Sequence, residues 1–202
     1  MLSLGGRHGE KPPGEWAGFL GHARQLRTPT IYEAINRAER LGEVARFGFP
    51  ASVRRHFERF DTFPRGLLPF GDAICRFNPI YGQGMSVAAQ EACLLHQLLR
   101  RQAEDTSPLV GLASAFFAGA CTLIDGPWAL AAVPDFVFPE TEGQRPEAFE
   151  RSLEYGAALN RLAAQDADVH KLMAEVLHLL KPRSALYEPE LVERVKAVAA
   201  QA

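Results

Sequence analysis

Residues 66–92 restrict the fold of this chain more than any other stretch. They read Gly-Leu-Leu-Pro-Phe-Gly-Asp-Ala-Ile-Cys-Arg-Phe-Asn-Pro-Ile-Tyr-Gly-Gln-Gly-Met-Ser-Val-Ala-Ala-Gln-Glu-Ala. An apolar segment with strand character, residues 66–70, ends in Gly71 and Asp72. A loop containing Pro79 follows, and Gly82, Gln83 and Gly84 then open an amphipathic helix. Gly71 lets the backbone turn sharply at a strand end, which leaves the Asp72 carboxylate pointing outward as an acceptor for hydroxyl groups. Gly82 and Gly84 keep side chains away from the start of the helix, so its unpaired amides and positive dipole end can approach an anionic or electron-rich ligand. These parts together predict a seat for a cofactor with a polyhydroxyl chain and a negatively polarised head.

The surrounding pattern predicts an α/β chain of few strands followed by mostly α-helices. Strand character is confined to residues 1–4, 43–49 and 66–70. Three such pieces are few for a self-sufficient sheet, and the rest of the sheet is expected to be missing from the chain. Trp16, Phe19, Leu20, His22 and Leu26 form an imperfect helical stripe ending near Arg27. Thr30 and Glu33 have the spacing of a capping box ahead of a helix over residues 31–41, stopped by Gly42. In residues 52–60, Arg54, Arg55 and Arg59 are interleaved with Glu58 and flanked by Asp61, which reads as a solvated charged face. Residues 85–101 place Val87, Cys93, Leu94, Leu95 and Leu98 largely on one side of a helix, and residues 109–123 are apolar almost all round, as in a buried or two-sided helix. Residues 134–146 read as a loop, and helices are expected over 147–164, 167–180 and 189–200.

The central segment resembles the second flavin motif of the flavoprotein monooxygenases of the p-hydroxybenzoate hydroxylase type. That motif runs Gly-Asp-Ala-Ala-His, three residues, Pro, two residues, Gly-Gln-Gly, one residue, Asn, and then a helix carrying an acidic residue and alanine. Gly71, Asp72, Ala73, Pro79, Gly82, Gln83, Gly84, Glu91 and Ala92 match it in identity or charge at the same spacing. The resemblance implies the C-terminal part of an FAD/NAD(P)-binding, hydroxylase-like fold. Asp72 would bind a ribityl hydroxyl of FAD, and the backbone from Gly82 to Met85 would face the N1 and C2 carbonyl edge of the isoalloxazine, where a helix N-terminus stabilises the anionic reduced flavin. Cys75 stands where the family has His, and Ser86 where it has Asn, which suggests a distinct branch. By the same resemblance, residues 1–65 would be the end of the substrate-side sheet and helices, 66–104 the flavin-contacting strand, loop and helix, and 105–202 a C-terminal helical region.

The family's adenosine site needs a GxGxxG turn, because the pyrophosphate requires a close backbone approach, and this sequence has none. The chain is therefore expected to be an incomplete piece of a longer enzyme, either truncated or completed by another chain or by a second copy, with weak or no FAD binding alone. The complete enzyme would use FAD, reduced by NAD(P)H, to activate dioxygen and hydroxylate an aromatic or polyprenyl-like small molecule. A flavin reductase or halogenase relative shares the Gly-Asp motif. A noncatalytic helical interaction module, docking a partner through the apolar helices after Leu109, is the reading from another class.

Composition narrows the partners. Lys and Arg number 22 against 24 Asp and Glu, a formal net charge of -2, so no global field draws in nucleic acid or an acidic membrane. Cys75, Cys93 and Cys121 form no CxxC pair, which fits reduced thiols in a cytoplasmic protein rather than a disulfide framework or a cysteine zinc site. The longest apolar candidate, residues 109–133, is interrupted by Asp125, Gly126 and Pro127, short of the roughly 20 residues a span needs, so no membrane span is expected. His170 and His178 can share a helix face but lack a third ligand at zinc spacing, and no serine sits in GxSxG. Cys75 is either plainly packed or held at a depressed thiol pKa. Phe77 and Tyr81 either pack or line a ring pocket, while Trp128, Phe136 and Phe138 read as core. No side chain is assigned an acid, base or metal-ligating role.

Overall fold

The computed structural model describes residues 2–6 and 10–200. The chain divides into two units, Met1–Pro50 and Ala51–Ala202. The first contains helices α1 (Trp16–Arg24) and α2 (Thr30–Asn36). Trp16 stacks on Phe19 with ring centroids 5.8 Å apart, and Arg24 lies over the Tyr32 ring. Among the described residues of this unit only Ala23 is buried, while Leu41 and Phe47 are each 95% exposed. The unit thus has little apolar interior of its own. The capping box does not form: Thr30 is itself helical, Pro29 is the N-cap, and no side chain bonds the first turn. Helix α2 also stops at Asn36, because the apolar residue that would continue its stripe, Leu41, has nothing to pack against.

None of the three stretches with strand character is a strand. Met1 lies outside the described residues, and residues 2–4, 43–49 and 66–70 run without strand pairing. An extended backbone becomes a strand only where a neighbour takes up its donors and acceptors. The segments that find such a neighbour are β1 (Val53–Arg54) and β2 (Cys75–Arg76), antiparallel, with Val53 opposite Arg76 and Arg54 opposite Cys75.

The second unit is mostly helical around this small two-stranded ladder. It holds α3 (Gly84–Arg101), α4 (Leu112–Ala131), α5 (Phe149–Ala163), α6 (Ala167–Leu177) and α7 (Pro189–Ala199). One core gathers Ile74, Cys75 and Phe77 from around β2, Val87 from α3, and Phe116, Phe117, Ala120 and Ile124 from α4. Phe63 meets Phe117 edge-on at 4.8 Å, and Phe70 stacks on Phe116 at 6.0 Å. A second core joins α5, α6 and α7 through Leu159, Leu162, Val169, Val176, Leu191 and Val195. There Asp166 caps α6 by accepting from the Asp168 and Val169 amides and also pairs with Arg194 of α7.

Helix α4 runs through Asp125, Gly126 and Pro127 instead of breaking there. The proline removes one intrahelical donor, yet its ring is buried beside Ile124 and Ala131, so packing holds the helix together. With the 3-10 turn that follows, Leu112–Val137 is 26 residues long with a hydropathy of 1.4, long and apolar enough to cross a membrane by length and composition. Its Phe116, Phe117, Ala120 and Ile124 are turned into the core of the unit. The arginine run is likewise not a uniform solvated face. Arg55 and Arg59 are exposed, but the Arg54 side chain is only 11% exposed and reaches α4, where it donates to Asp125.

Candidate functional site

The Gly-Asp turn lies along one face of α3. Gly84, Ala88 and Glu91 share that face by helical periodicity. Asp72 Oδ1 is 3.9 Å from where a Cβ on Gly84 would stand, and a Cβ on Gly71 would be 3.7 Å from that of Ala88. The Gly71 amide donates to Glu91 Oε2 at 2.7 Å. Gly71 itself is left-handed, with φ +56°, a conformation that side-chain-bearing residues rarely adopt. A 3-10 turn over Gly71–Ala73 then feeds β2, closed by the Ile74 amide donating to the Gly71 carbonyl at 2.8 Å. From β1's end, the Arg55 guanidinium donates to the Ala73 carbonyl at 3.2 Å.

The loop from β2 to α3 is built by local hydrogen bonds. Asn78 Oδ1 accepts from the Ile80 amide at 3.2 Å and starts a second 3-10 turn, Pro79–Tyr81. Gly82 ends it at φ +67°, with nothing within 4 Å of where its Cβ would be. Gln83 is buried, and its Nε2 ties the loop down by donating to the carbonyls of Tyr81 at 3.3 Å and Leu177 at 3.0 Å. Tyr81 Oη donates to Asp135 at 3.2 Å. The Val87 amide is the first to return into the helix, to the Gln83 carbonyl at 3.0 Å, and no side chain caps α3. The Gly84, Met85 and Ser86 amides therefore face outward from the positive end of the helix dipole. Ile80 and Met85, which flank Gly82 in the chain, are 77% and 88% exposed.

The residues singled out from the sequence thus come together. Gly71, Asp72, Gly82, Gly84 and Met85 surround the N-terminal end of α3, Pro79 opens the turn that precedes it, and Gln83 anchors that turn from inside. Glu91 joins them through a contact that its spacing alone does not specify, the bond from the Gly71 amide. In the sequence it is an acidic residue on the apolar side of an amphipathic helix, two turns beyond Gly84. Glu91 is 0% exposed, and its Oε1 is buried without a hydrogen-bond partner.

Burial governs the electrostatics here. It pushes the Glu91 carboxyl group above its ordinary pKa; the bond from the Gly71 amide pulls the other way, and the Asp72 carboxylate adds to the rise. The Cys75 thiol is pushed up to about 12, first by burial, with Arg54 opposing and Glu91 and Asp72 adding to it. Cys75 is therefore a packed, protonated thiol, which excludes the depressed-pKa alternative. On the far side of β1, Cys121 donates to Glu58 at 3.6 Å and accepts from Arg54 at 3.3 Å, and Glu58 also meets His56 at 2.6 Å.

Phe77 packs on Trp128 with centroids 6.4 Å apart, inside the core. His170 and His178 are exposed, and among the described residues no group of three or more metal-ligating side chains gathers. An open apolar groove of about 440 Å³ lies between Phe57, Phe60, Phe63, Pro64, Leu67 and Pro69. Phe60 and Leu67 are 60% and 55% exposed in it.

No family model matches the chain. It is 32% identical over 139 residues, 68% of its length, to Protein Rv3254 of Mycobacterium tuberculosis. The match spans 29% of that relative's length.

Proposed function

We propose that this chain is the flavin-contacting, C-terminal part of an FAD-dependent oxidoreductase with an FAD/NAD(P)-binding, hydroxylase-like fold. In this reading the complete enzyme is a cytoplasmic monooxygenase of an aromatic or polyprenyl-like small molecule, with NAD(P)H as electron donor. The observation that supports it is the placement of the Asp72 carboxylate beside uncapped helix amides at the start of α3, across a left-handed Gly71. A ribityl chain with its ring needs this combination: a hydroxyl acceptor within a few ångströms of donors that favour negative charge.

The residues present fit such a group. The space above Gly82 is open, so a flat ring can approach the backbone, and Ile80 and Met85 offer it apolar edges. Bound FAD would supply the redox chemistry. Asp72 would accept from a ribityl hydroxyl, the Gly84, Met85 and Ser86 amides would favour negative charge on the ring edge, and Gln83 and Tyr81 would keep the loop in place. No side chain here is asked to move a proton. The adenosine end would be held by a GxGxxG element supplied by a further polypeptide or by a longer form of the chain.

Amide chemical shifts of the labelled chain, followed during titration with FMN, test this reading at the weak affinity expected of a partial site. Shifts concentrated at Gly71, Asp72 and residues 82–86, and abolished by Asp72→Ala, are the expected result. Flavin-induced shifts indifferent to Asp72→Ala, or confined to residues away from Gly71, Asp72 and residues 82–86, would overturn it. The exposed groove between Phe57 and Pro69 favours a second reading, a noncatalytic interaction module. A chain that ignores flavin would leave that one standing.

A further inference from the structure

We propose that Glu91 is a positioning residue for the candidate cofactor site: its carboxyl group, through the Gly71 amide, fixes the left-handed turn that sets the Asp72 carboxylate beside the first turn of α3. The inference rests on the flavin reading for its purpose, but its geometry is independent of it. The turn follows α3 closely: Asp72 Oδ1 lies 3.9 Å from where a Cβ on Gly84 would stand, the Ala88 Cβ lies 3.7 Å from where one on Gly71 would stand, and the Gly71 amide donates to Glu91. The only polar one of these that reaches into the interior is Glu91, joined to Gly71 across 20 residues of chain at 2.7 Å.

Two features show that Glu91 is more than a helix residue that happens to be buried. It is an acidic side chain with no exposure, in a position where an apolar residue would pack without a desolvation cost. One of its oxygens is spent on a single backbone amide, and the other has no partner at all. A carboxyl group in that situation is favoured in its neutral form. Burial and the facing Asp72 carboxylate both act in that direction, and the other titratable group around it, the Cys75 thiol of β2, is itself held protonated. Of the cations nearby, Arg54 acts on Cys75, and the Arg55 guanidinium donates to the Ala73 carbonyl of the turn. In either protonation state the carboxyl group has an oxygen that accepts from the Gly71 amide.

The inference predicts that Gln serves at this position and that Leu does not. In Glu91→Gln, hydrogen exchange at the Gly71 amide should stay within about threefold of the parent chain, because the side-chain carbonyl takes over as acceptor. In Glu91→Leu, Gly71 protection should fall at least about tenfold while the amides of the α5–α7 core keep theirs, and FMN-induced shifts at Asp72 should need about tenfold more ligand. The parent's Gly71 shift should also titrate with a midpoint above that of an ordinary glutamate, and the titration should vanish in Glu91→Gln. Unchanged Gly71 protection in Glu91→Leu, or an equal loss in both variants, would overturn the role given to Glu91. If instead FMN shifts are indifferent to Asp72→Ala while Gly71 protection responds as described, the positioning by Glu91 stands and the flavin reading falls.

Discussion

Arg54 of β1 donates to Asp125 of α4 at 2.6 Å, across 71 residues of sequence, and the same guanidinium nitrogen donates to Cys121 Sγ at 3.3 Å. This clamp ties the two-stranded ladder to the long core helix. Burial opposes the charged guanidinium, but the bond and charge of Asp125 outweigh it and hold Arg54 above its ordinary pKa. Asp125 is largely exposed, so water already screens part of the pair. Asp125→Ala should cost about 1 kcal/mol or less, and Arg54→Ala more, since it also strips packing from a nearly buried stem. Urea unfolding of both variants at low and high salt checks the order.

The three thiols should react in an order set by their surroundings. Cys93 is exposed, Cys121 is half-buried and hydrogen-bonded, and Cys75 is 2% exposed with its pKa pushed up to about 12. Maleimide labelling at pH 8, followed by mass, should modify Cys93 first and leave Cys75 intact until denaturant is added. Because Cys75 holds its proton more tightly when folded, its contribution to stability is full below an ordinary thiol pKa and declines as pH rises toward 12. Cys75→Ala should flatten that alkaline decline, whatever it costs in packing.

Glu91 predicts a pH dependence of the opposite kind to a salt-bridged carboxylate. Its folded pKa is raised, so its contribution to stability is full at acid pH and is lost as pH climbs from the ordinary glutamate value through the raised one. Glu91→Gln removes the titration while keeping an acceptor for Gly71. The variant should be at least as stable as the parent at pH 8 and show a flatter profile between pH 4 and 8. A parent chain whose urea midpoint rises over that range relative to Glu91→Gln would contradict a raised Glu91 pKa.

Gly71 should resist replacement for a backbone reason. Space is adequate, since an added Cβ would meet Ala88 at 3.7 Å, but φ is +56°. Gly71→Ala should therefore cost about 1–2 kcal/mol through the left-handed conformation alone. Its effect on FMN-induced shifts should exceed that of Glu91→Gln, because the turn itself is displaced. Calorimetric unfolding and the flavin titration together separate the two effects.

Several local elements follow from residue pattern alone, for reasons that act within a turn or two of chain. Apolar periodicity and flanking breakers placed helices close to where α1, α3, α5, α6 and α7 lie, and Gly82, Gln83 and Gly84 do open α3. Gly71 and Asp72 do form a tight turn, since a glycine there admits the left-handed conformation. What depends on a distant partner takes shape only when the chain folds back on itself. Residues 66–70 look like a strand but find no ladder, while Val53–Arg54 and Cys75–Arg76, unremarkable in sequence, pair with each other. Arg54 reads as one of several solvated cations until Asp125 is brought to it, and α4 survives Pro127 because a buried core face compensates for a lost backbone bond. Glu91 shows the division most sharply: its helical face follows from its spacing to Gly84, whereas its burial and its bond to Gly71 exist only once the turn has folded back along α3. Side-chain spacing is a property of the chain, but desolvation and hydrogen-bond pairing are properties of what the chain surrounds itself with.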